Sequence, residues 1–164
     1  MAILVRKARM DELERVASIL WEEVYSELDY AYVRKWIEES GWPFSAYNFW
    51  FVLAVDGKIA GVICWNIFDR YGSKVILNVA WMAIAGEYQG KGYGTALWKH
   101  SLEQVIQYLA NLEEKVALIM VQVDEENNKA RSFFRKVLAQ PIEVIIHNVW
   151  GENNGVVFLF MPLS

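Results

Sequence analysis

The sequence predicts a mixed α/β fold, an α+β arrangement in which a mostly antiparallel sheet contains a central parallel β-α-β unit and carries helices on both faces. Three observations lead there. The apolar run Val75 to Ile84 passes into glycines at 90, 92 and 94, then into a helical repeat, then into a second apolar run, Val116 to Val123. Strand, turn, helix and strand in that order form a crossover, which joins parallel strands with a right-handed path. Two other apolar runs flank Asp56-Gly57, a two-residue hairpin signal that makes antiparallel neighbours. Across the chain, segments of period two and period 3.6 alternate as β-α-α-β-β-β-α-β-α-β-β.

Each element has its own signal. Ala2 to Val5 is a short strand, and Asp11-x-x-Glu14 reads as a capping box. Leu13, Val16, Ala17, Leu20 and Val24 repeat at helical spacing, so a first helix is expected to about Tyr25. A second helix is expected over 31–39, with Val33 and Trp36 inward, stopped by Gly41-Trp42-Pro43. Strands follow at 49–55, 58–68 and 75–84. The run Val79 to Ala85 is almost wholly apolar, as a strand buried on both faces would be. From Gly94 a helix presents Trp98, Leu102, Val105, Ile106, Leu109 and Leu112 on one face, and Val116 to Val123 reads as a central strand. After the polar break at 124–128, Ala130, Phe133, Phe134 and Val137 mark a last helix. Pro141-Ile142 opens a strand running to Trp150; a turn, Gly151 to Gly155, and a strand, Val156 to Phe160, close the chain.

A chain of 164 residues suits one domain over 1–164 with a single sizeable core. Hydrophobic content of 55% with 22% charged residues is that of a globular protein. A net charge of −4 supplies no electrostatic footprint for nucleic acid or an anionic membrane surface. The single cysteine, Cys64, excludes an internal disulfide framework, and no cysteine–histidine cluster suggests a metal. The N-terminal residues lack the apolar core of a signal peptide, and no run reaches membrane-spanning length, so a cytoplasmic protein is expected.

The stretch from Val79 to Ala96 carries the chemistry. Glycine turns bring a ligand close to the backbone because no Cβ intervenes, and the N–H groups opening the next helix favour negative charge. A buried strand, a glycine turn and a helix N-terminus together make an anion site, best suited to phosphate. Spacing narrows the ligand. Gly94-Thr95-Ala96 offers no lysine of the P-loop kind, and Gly90-x-Gly92-x-Gly94 is not the G-x-G-x-x-G of dinucleotide sites.

Gln89-x-x-Gly92-x-Gly94 after an apolar strand resembles the acyl-CoA loop of the GCN5-related N-acetyltransferase (GNAT) family. Asn127-Asn128-Lys129-Ala130-Arg131-Ser132-Phe133-Phe134 resembles the family's Asn-x-x-Ala-x-x-Phe-Tyr after its fifth strand. The resemblance covers essentially the whole chain and implies the acyl-CoA N-acyltransferase fold with acetyl-CoA as cofactor. It implies that the strand before the loop splays from its parallel neighbour. Met82, Ala83 and Ile84 then offer main-chain groups to the pantetheine arm, and the Met82 N–H holds the thioester oxyanion. Gln89, Gly90, Lys91, Gly92, Tyr93, Gly94 and Thr95 surround the pyrophosphate, and Asn127 sits near the pantetheine, with a helix N-cap as its alternative role.

Two departures from the family concern proton transfer. Phe134 stands where many members have a tyrosine that protonates the leaving thiolate. Asn78 stands where many carry a general-base glutamate. Leu138-Ala139 also replaces a common Gly-Phe pair. Tyr88 and Tyr93 are alternative acids if they reach the thiolate, and Glu27, Asp29, Glu38 and Glu39 are alternative bases. His100, His147 and Cys64 read as structural. The aromatics Trp36, Trp42, Phe44, Tyr47, Phe49, Trp50 and Phe51 border the family's acceptor cleft, although core packing accounts for them more simply. The expected reaction is direct acetyl transfer from acetyl-CoA to a small-molecule or peptide amine. The rival is an acyl-CoA-binding module without catalysis. Neither nucleic acid nor membrane is expected as a partner, and a homodimer is allowed.

Overall fold

The computed structural model describes residues 2–149 and 155–163. Its elements follow the predicted order: β1 (Ile3–Lys7), α1 (Leu13–Glu23), α2 (Tyr30–Glu39), β2 (Asn48–Val55), β3 (Lys58–Tyr71), β4 (Lys74–Ile84), α3 (Tyr93–Ala110), β5 (Lys115–Asp124), α4 (Asn128–Val137), β6 (Ile142–Ile146) and β7 (Val156–Pro162). Among the described residues the strands form a seven-stranded sheet in the order β1-β2-β3-β4-β5-β7-β6. The pair β4–β5 is parallel, while β1–β2, β2–β3, β5–β7 and β6–β7 are antiparallel. The predicted fold class is the one observed. By contacts the chain divides into two compact units, Met1–Asn66 with Ala80–Tyr108, and Ile67–Val79 with Leu109–Ser164.

In the first unit the Asp56-Gly57 hairpin forms as predicted. Both residues have positive φ, 47° and 82°, the combination that lets a two-residue turn follow the natural twist of its strands. On one face of β2 and β3, Trp50, Val52, Val62 and Cys64 pack under α1 and α2 with Ala83 and Ala85. On the other face, the Trp65 ring lies 4.8 Å from that of Trp98 in α3, and its Nε1 donates to Ser101 Oγ at 2.9 Å. Helices therefore cover both faces of this unit. Gly61 sets the spacing of β3 against the end of β4. A Cβ there would collide with Ile84 Cδ1 and sit 3.1 Å from the Ala83 carbonyl oxygen. The contact continues where Ala85 N donates to Ala60 O at 2.9 Å.

Several local expectations are corrected. The capping box at Asp11 and Glu14 does not form. Met10–Glu12 is a 3-10 turn whose Glu12 carboxylate accepts from the Arg9 N–H at 2.8 Å and from Arg6 Nη1 at 2.9 Å. That hydrogen bond from Arg6 holds the Glu12 carboxyl below its ordinary range, against the opposing effect of burial. Glu14 instead accepts from Tyr30 Oη at 2.8 Å and from Arg34, tying α1 to α2. The inward residues of α2 are Val33 and Ile37, while Trp36 is 39% exposed, because positions 33 and 37 lie one turn apart on the same face. Ile106 and Leu112 face solvent; Leu97, Trp98, Ser101, Val105 and Leu109 form the buried stripe of α3. Ala80, Trp81, Met82 and Ile84 are only half-buried, so the end of β4 is not covered on both faces.

In the second unit β4 pairs with β5 from Lys74↔Lys115 to Val79↔Val121. Asn127 caps α4, its side chain accepting from Ala130 N at 3.0 Å. Arg135 Nη2 donates to Glu143 Oε1 at 2.7 Å, bracing α4 to β6. Past Val137, Leu138 is fully buried and Ala139 and Gln140 adopt positive φ, 50° and 66°. The expected strand to Trp150 is shorter: β6 ends at Ile146, and His147 lies in the turn after it. Trp150 and the predicted turn residues 151–154 lie outside the described residues. Among the described residues no helix is long and apolar enough to cross a membrane.

The end of α3 supplies a stability test. Glu114 N donates to Leu109 O at 2.9 Å and Glu113 N to Ala110 O at 3.0 Å, with Glu113 at φ 60°. This is a Schellman motif with a glutamate where glycine is favoured. Left-handed backbone costs an L-residue roughly 1–2 kcal/mol, part of which glycine loses again to unfolded-state entropy. Glu113→Gly should stabilise the protein by about 1 kcal/mol, read as a higher urea midpoint at unchanged m-value.

Candidate acyl-donor site

The glycine loop is built entirely within the first unit. Beyond Ile84 a short 3-10 turn, Gly86–Tyr88, lifts the chain off the strand, with Tyr88 N donating to Ala85 O at 2.8 Å. Gln89 closes the turn by folding back. Its Nε2 donates to the Ile84 carbonyl at 2.8 Å and to Glu23 Oε2 at 2.7 Å. The other Glu23 oxygen accepts from the Gly86 N–H at 2.6 Å. One carboxylate at the end of α1 thus holds both ends of the turn. Lys91 also folds back, its Nζ donating to the Glu87 carbonyl at 2.8 Å.

With the side chains of Gln89 and Lys91 drawn onto the loop, its backbone is left open. Gly90 and Gly92 have φ of 73° and 81°, and a Cβ built on either meets nothing within 4 Å. Tyr93 is buried and starts α3, so Gly94 and Thr95 fall in the helix's first turn. N–H groups in that turn have no partner inside the helix and carry the positive end of its dipole. An open, left-handed glycine pair leading into such a helix start has the makings of a backbone cradle for an anion.

The profile of the Acetyltransferase (GNAT) family matches residues 10–139. The chain belongs to the GNAT acetyltransferase family. Similar folds occur in the ribosomal-protein-S18-alanine N-acetyltransferase of Escherichia coli, at 17% identity and TM-score 0.73 over 99% of this chain and 95% of that one. Ard1 from Thermoplasma volcanium aligns at 16% identity and TM-score 0.70 over 100% and 99%. Arabidopsis thaliana NAA60, solved with a bisubstrate analogue, aligns at 14% and 0.69 over 97% of each chain. No curated protein sequence matches the chain. GNAT proteins generally use acetyl-CoA or another acyl-CoA as donor.

Met82, Ala83, Ile84 and residues 89–95 therefore lie together in the first unit, while Asn78, Asn127 and Phe134 belong to the second. Asn78 stands opposite Met120 in the parallel ladder, and its Oδ1 is buried without a hydrogen-bond partner among the described residues. Asn127 takes its N-cap role. Phe134 is buried, its ring 5.1 Å from that of Phe133.

The alternative bases are mostly engaged. Asp29 Oδ1 caps α2 by accepting from Ala31 N at 2.8 Å, Glu38 pairs with Arg34 at 3.0 Å and Glu39 with Lys35 at 3.6 Å; Glu27 is exposed. Tyr88 is half-buried, its ring 6.2 Å from that of Tyr93. His100 and His147 are exposed beside Glu103 and Glu125, at 3.3 and 3.0 Å. Burial pushes the Cys64 thiol well up, leaving it an inert core residue. Of the aromatics, Trp42, Phe49, Trp50 and Phe51 are buried core, while Trp36 and Tyr47 are exposed.

Glu23 is the residue sequence reading missed, since a glutamate in the last turn of a helix looks like any solvated charge. Losing a hydrogen bond of about 1.4 kcal/mol raises the opening equilibrium roughly tenfold. Glu23→Ala should therefore speed hydrogen exchange at the Gly86 amide by about that factor, whereas Glu23→Gln, which keeps a carbonyl oxygen, should change it less.

Proposed function

We propose that this protein transfers an acetyl group from acetyl-CoA directly to an amine. The observation that carries the reading is the open pair Gly90 and Gly92 at the start of α3, backed by family membership. Backbone N–H groups of residues 90–95 hold the diphosphate, with Lys91 adding positive charge. The main chain of Met82, Ala83 and Ile84, on the part of β4 past its ladder with β5, lies along the pantetheine arm. The Met82 N–H donates to the thioester oxygen as it becomes an oxyanion. The amine nitrogen forms a bond to the carbonyl carbon, the carbon–sulfur bond breaks, and the amine's proton passes to solvent. Proximity and oxyanion support supply the rate enhancement, since neither Asn78 nor Phe134 exchanges a proton at neutral pH.

Binding is tested first. Saturating acetyl-CoA should raise the melting temperature of the unmodified protein, and Gly92→Val should abolish the rise. Valine at φ 81° strains the backbone by itself, so Gly72→Val is the control. Gly72 has φ 60° and equally open surroundings in the β3–β4 turn, and that variant should lose stability yet keep the shift. No shift with the unmodified protein rejects the acetyl-CoA assignment.

Asn78 sets the pH profile. An alkyl amine of pKa about 10.4 is neutral in only roughly one molecule in two thousand at pH 7. With no base to deprotonate it on site, the rate should climb about tenfold per pH unit through pH 9. A weakly basic acceptor should give a flat profile, and Asn78→Glu should raise the neutral-pH rate with alkyl amines. A plateau near pH 7 in the unmodified protein assigns a base elsewhere. The non-catalytic reading draws on the same two residues, and measurable thioester turnover with any amine of a panel removes it.

A further inference from the structure

The region between Arg15 and Arg34 contains no lysine or arginine but four carboxylates, Glu22, Glu23, Glu27 and Asp29. Among them the chain exposes apolar groups: Val24 and Leu28 at 42% and 40%, then Tyr32 at 60% and Trp36 at 39% on α2. This segment is held rather than frayed. Trp21 Nε1 donates to the Leu28 carbonyl at 2.9 Å, and Asp29 caps the helix that follows.

The exposed aromatics continue inward as a ladder. Tyr32 lies 6.4 Å from Trp36, Trp36 stands edge-on to Trp81 at 5.0 Å, and Trp81 stacks on fully buried Trp50 at 5.1 Å and 14°. Trp81 precedes Met82, so the ladder leads along α2 to the strand position where the proposed reaction occurs. A wall of that kind buries an apolar body, while the indole face attracts a cation. Small polar amines would leave the wall wet and unused.

We infer that the acceptor is a primary amine with a large apolar or aromatic group close to its ammonium, bound against Trp36 and Tyr32. This rests on the acetyltransferase reading above. Such an acceptor meets the wall through its side group and an indole face through its charge.

The experiment compares phenethylamine with ethanolamine, two primary amines of similar basicity, on the full chain. With acetyl-CoA, kcat/KM for phenethylamine should exceed that for ethanolamine by about tenfold or more, chiefly through KM. Trp36→Ala should remove that advantage, lowering kcat/KM for phenethylamine far more than for ethanolamine. Tyr32→Ala, at a more exposed position, gives a smaller loss in the same direction and serves if Trp36→Ala lowers stability. Calorimetric titration of each amine into the coenzyme A-bound protein reads the same preference without turnover. Equal binding and equal kcat/KM for the two amines, or a preference that survives both substitutions, overturns the inference. Its failure is distinct from that of the acetyltransferase reading, which fails if acetyl-CoA gives no thermal shift.

Discussion

The close approach of β3 to the end of β4 at Gly61 is the constraint on which the first unit's geometry depends. Ile84 Cδ1 and the Ala83 carbonyl crowd the space a Cβ would enter, and Leu97 of α3 stands 3.4 Å from that position. Three elements therefore meet around one missing methyl group: the strand that carries Met82 to Ile84, its neighbour β3, and the helix whose first turn faces the glycine loop. Interiors pack at crystal-like density, so a methyl group there would push the Ile84 side-chain tip aside and press on the Ala83 carbonyl. The loop inherits its position from this packing. Its own residues contribute openness, with positive φ at Gly90 and Gly92, rather than rigidity.

Rigidity comes from Glu23. A loop that must leave its N–H groups toward a ligand cannot use them all to hold itself, so its turn is tied down from outside. The Glu23 carboxylate takes the Gly86 N–H and the Gln89 amide, and Gln89 in turn reaches back to the Ile84 carbonyl. The motif glutamine is thus a brace between strand and loop, and the glycines that follow it present the backbone. The same carboxylate adds negative charge near the proposed diphosphate cradle, an electrostatic cost partly offset by Lys91 and by screening in water.

How much of this was legible in the chain depends on range. Hairpin and crossover were readable because Asp56-Gly57 and the strand–glycine–helix run are local signals whose backbone chemistry admits few alternatives. The family resemblance was legible in residues 89–94 and 127–134 for the same reason. Partners distant in sequence were not. Nothing near Glu23 announces Gly86, and Glu12 rather than Asp11 or Glu14 closes the first turn because Arg6 on β1 reaches it. Burial on α2 and α3 was misjudged at Trp36, Ile106 and Leu112, where hydrophobicity alone cannot say which flank of an apolar stripe meets a neighbour. Ala139 and Gln140, both in left-handed backbone, likewise carry no local warning.

Asn78 and Phe134 belong together in physical terms. A glutamate at position 78 would sit in a parallel ladder beside Met120, where desolvation raises its pKa and suits it to take a proton near neutrality. An amide there avoids ionisation but leaves a buried Oδ1 with no partner among the described residues, a deficit on the order of 1–3 kcal/mol unless water or ligand supplies a donor. Phe134 has no such deficit, since an aromatic ring without a hydroxyl packs against Phe133 and needs nothing further. The asymmetry is informative. Two positions relieved of proton chemistry could both have become apolar, yet position 78 retains a polar oxygen that no described residue satisfies.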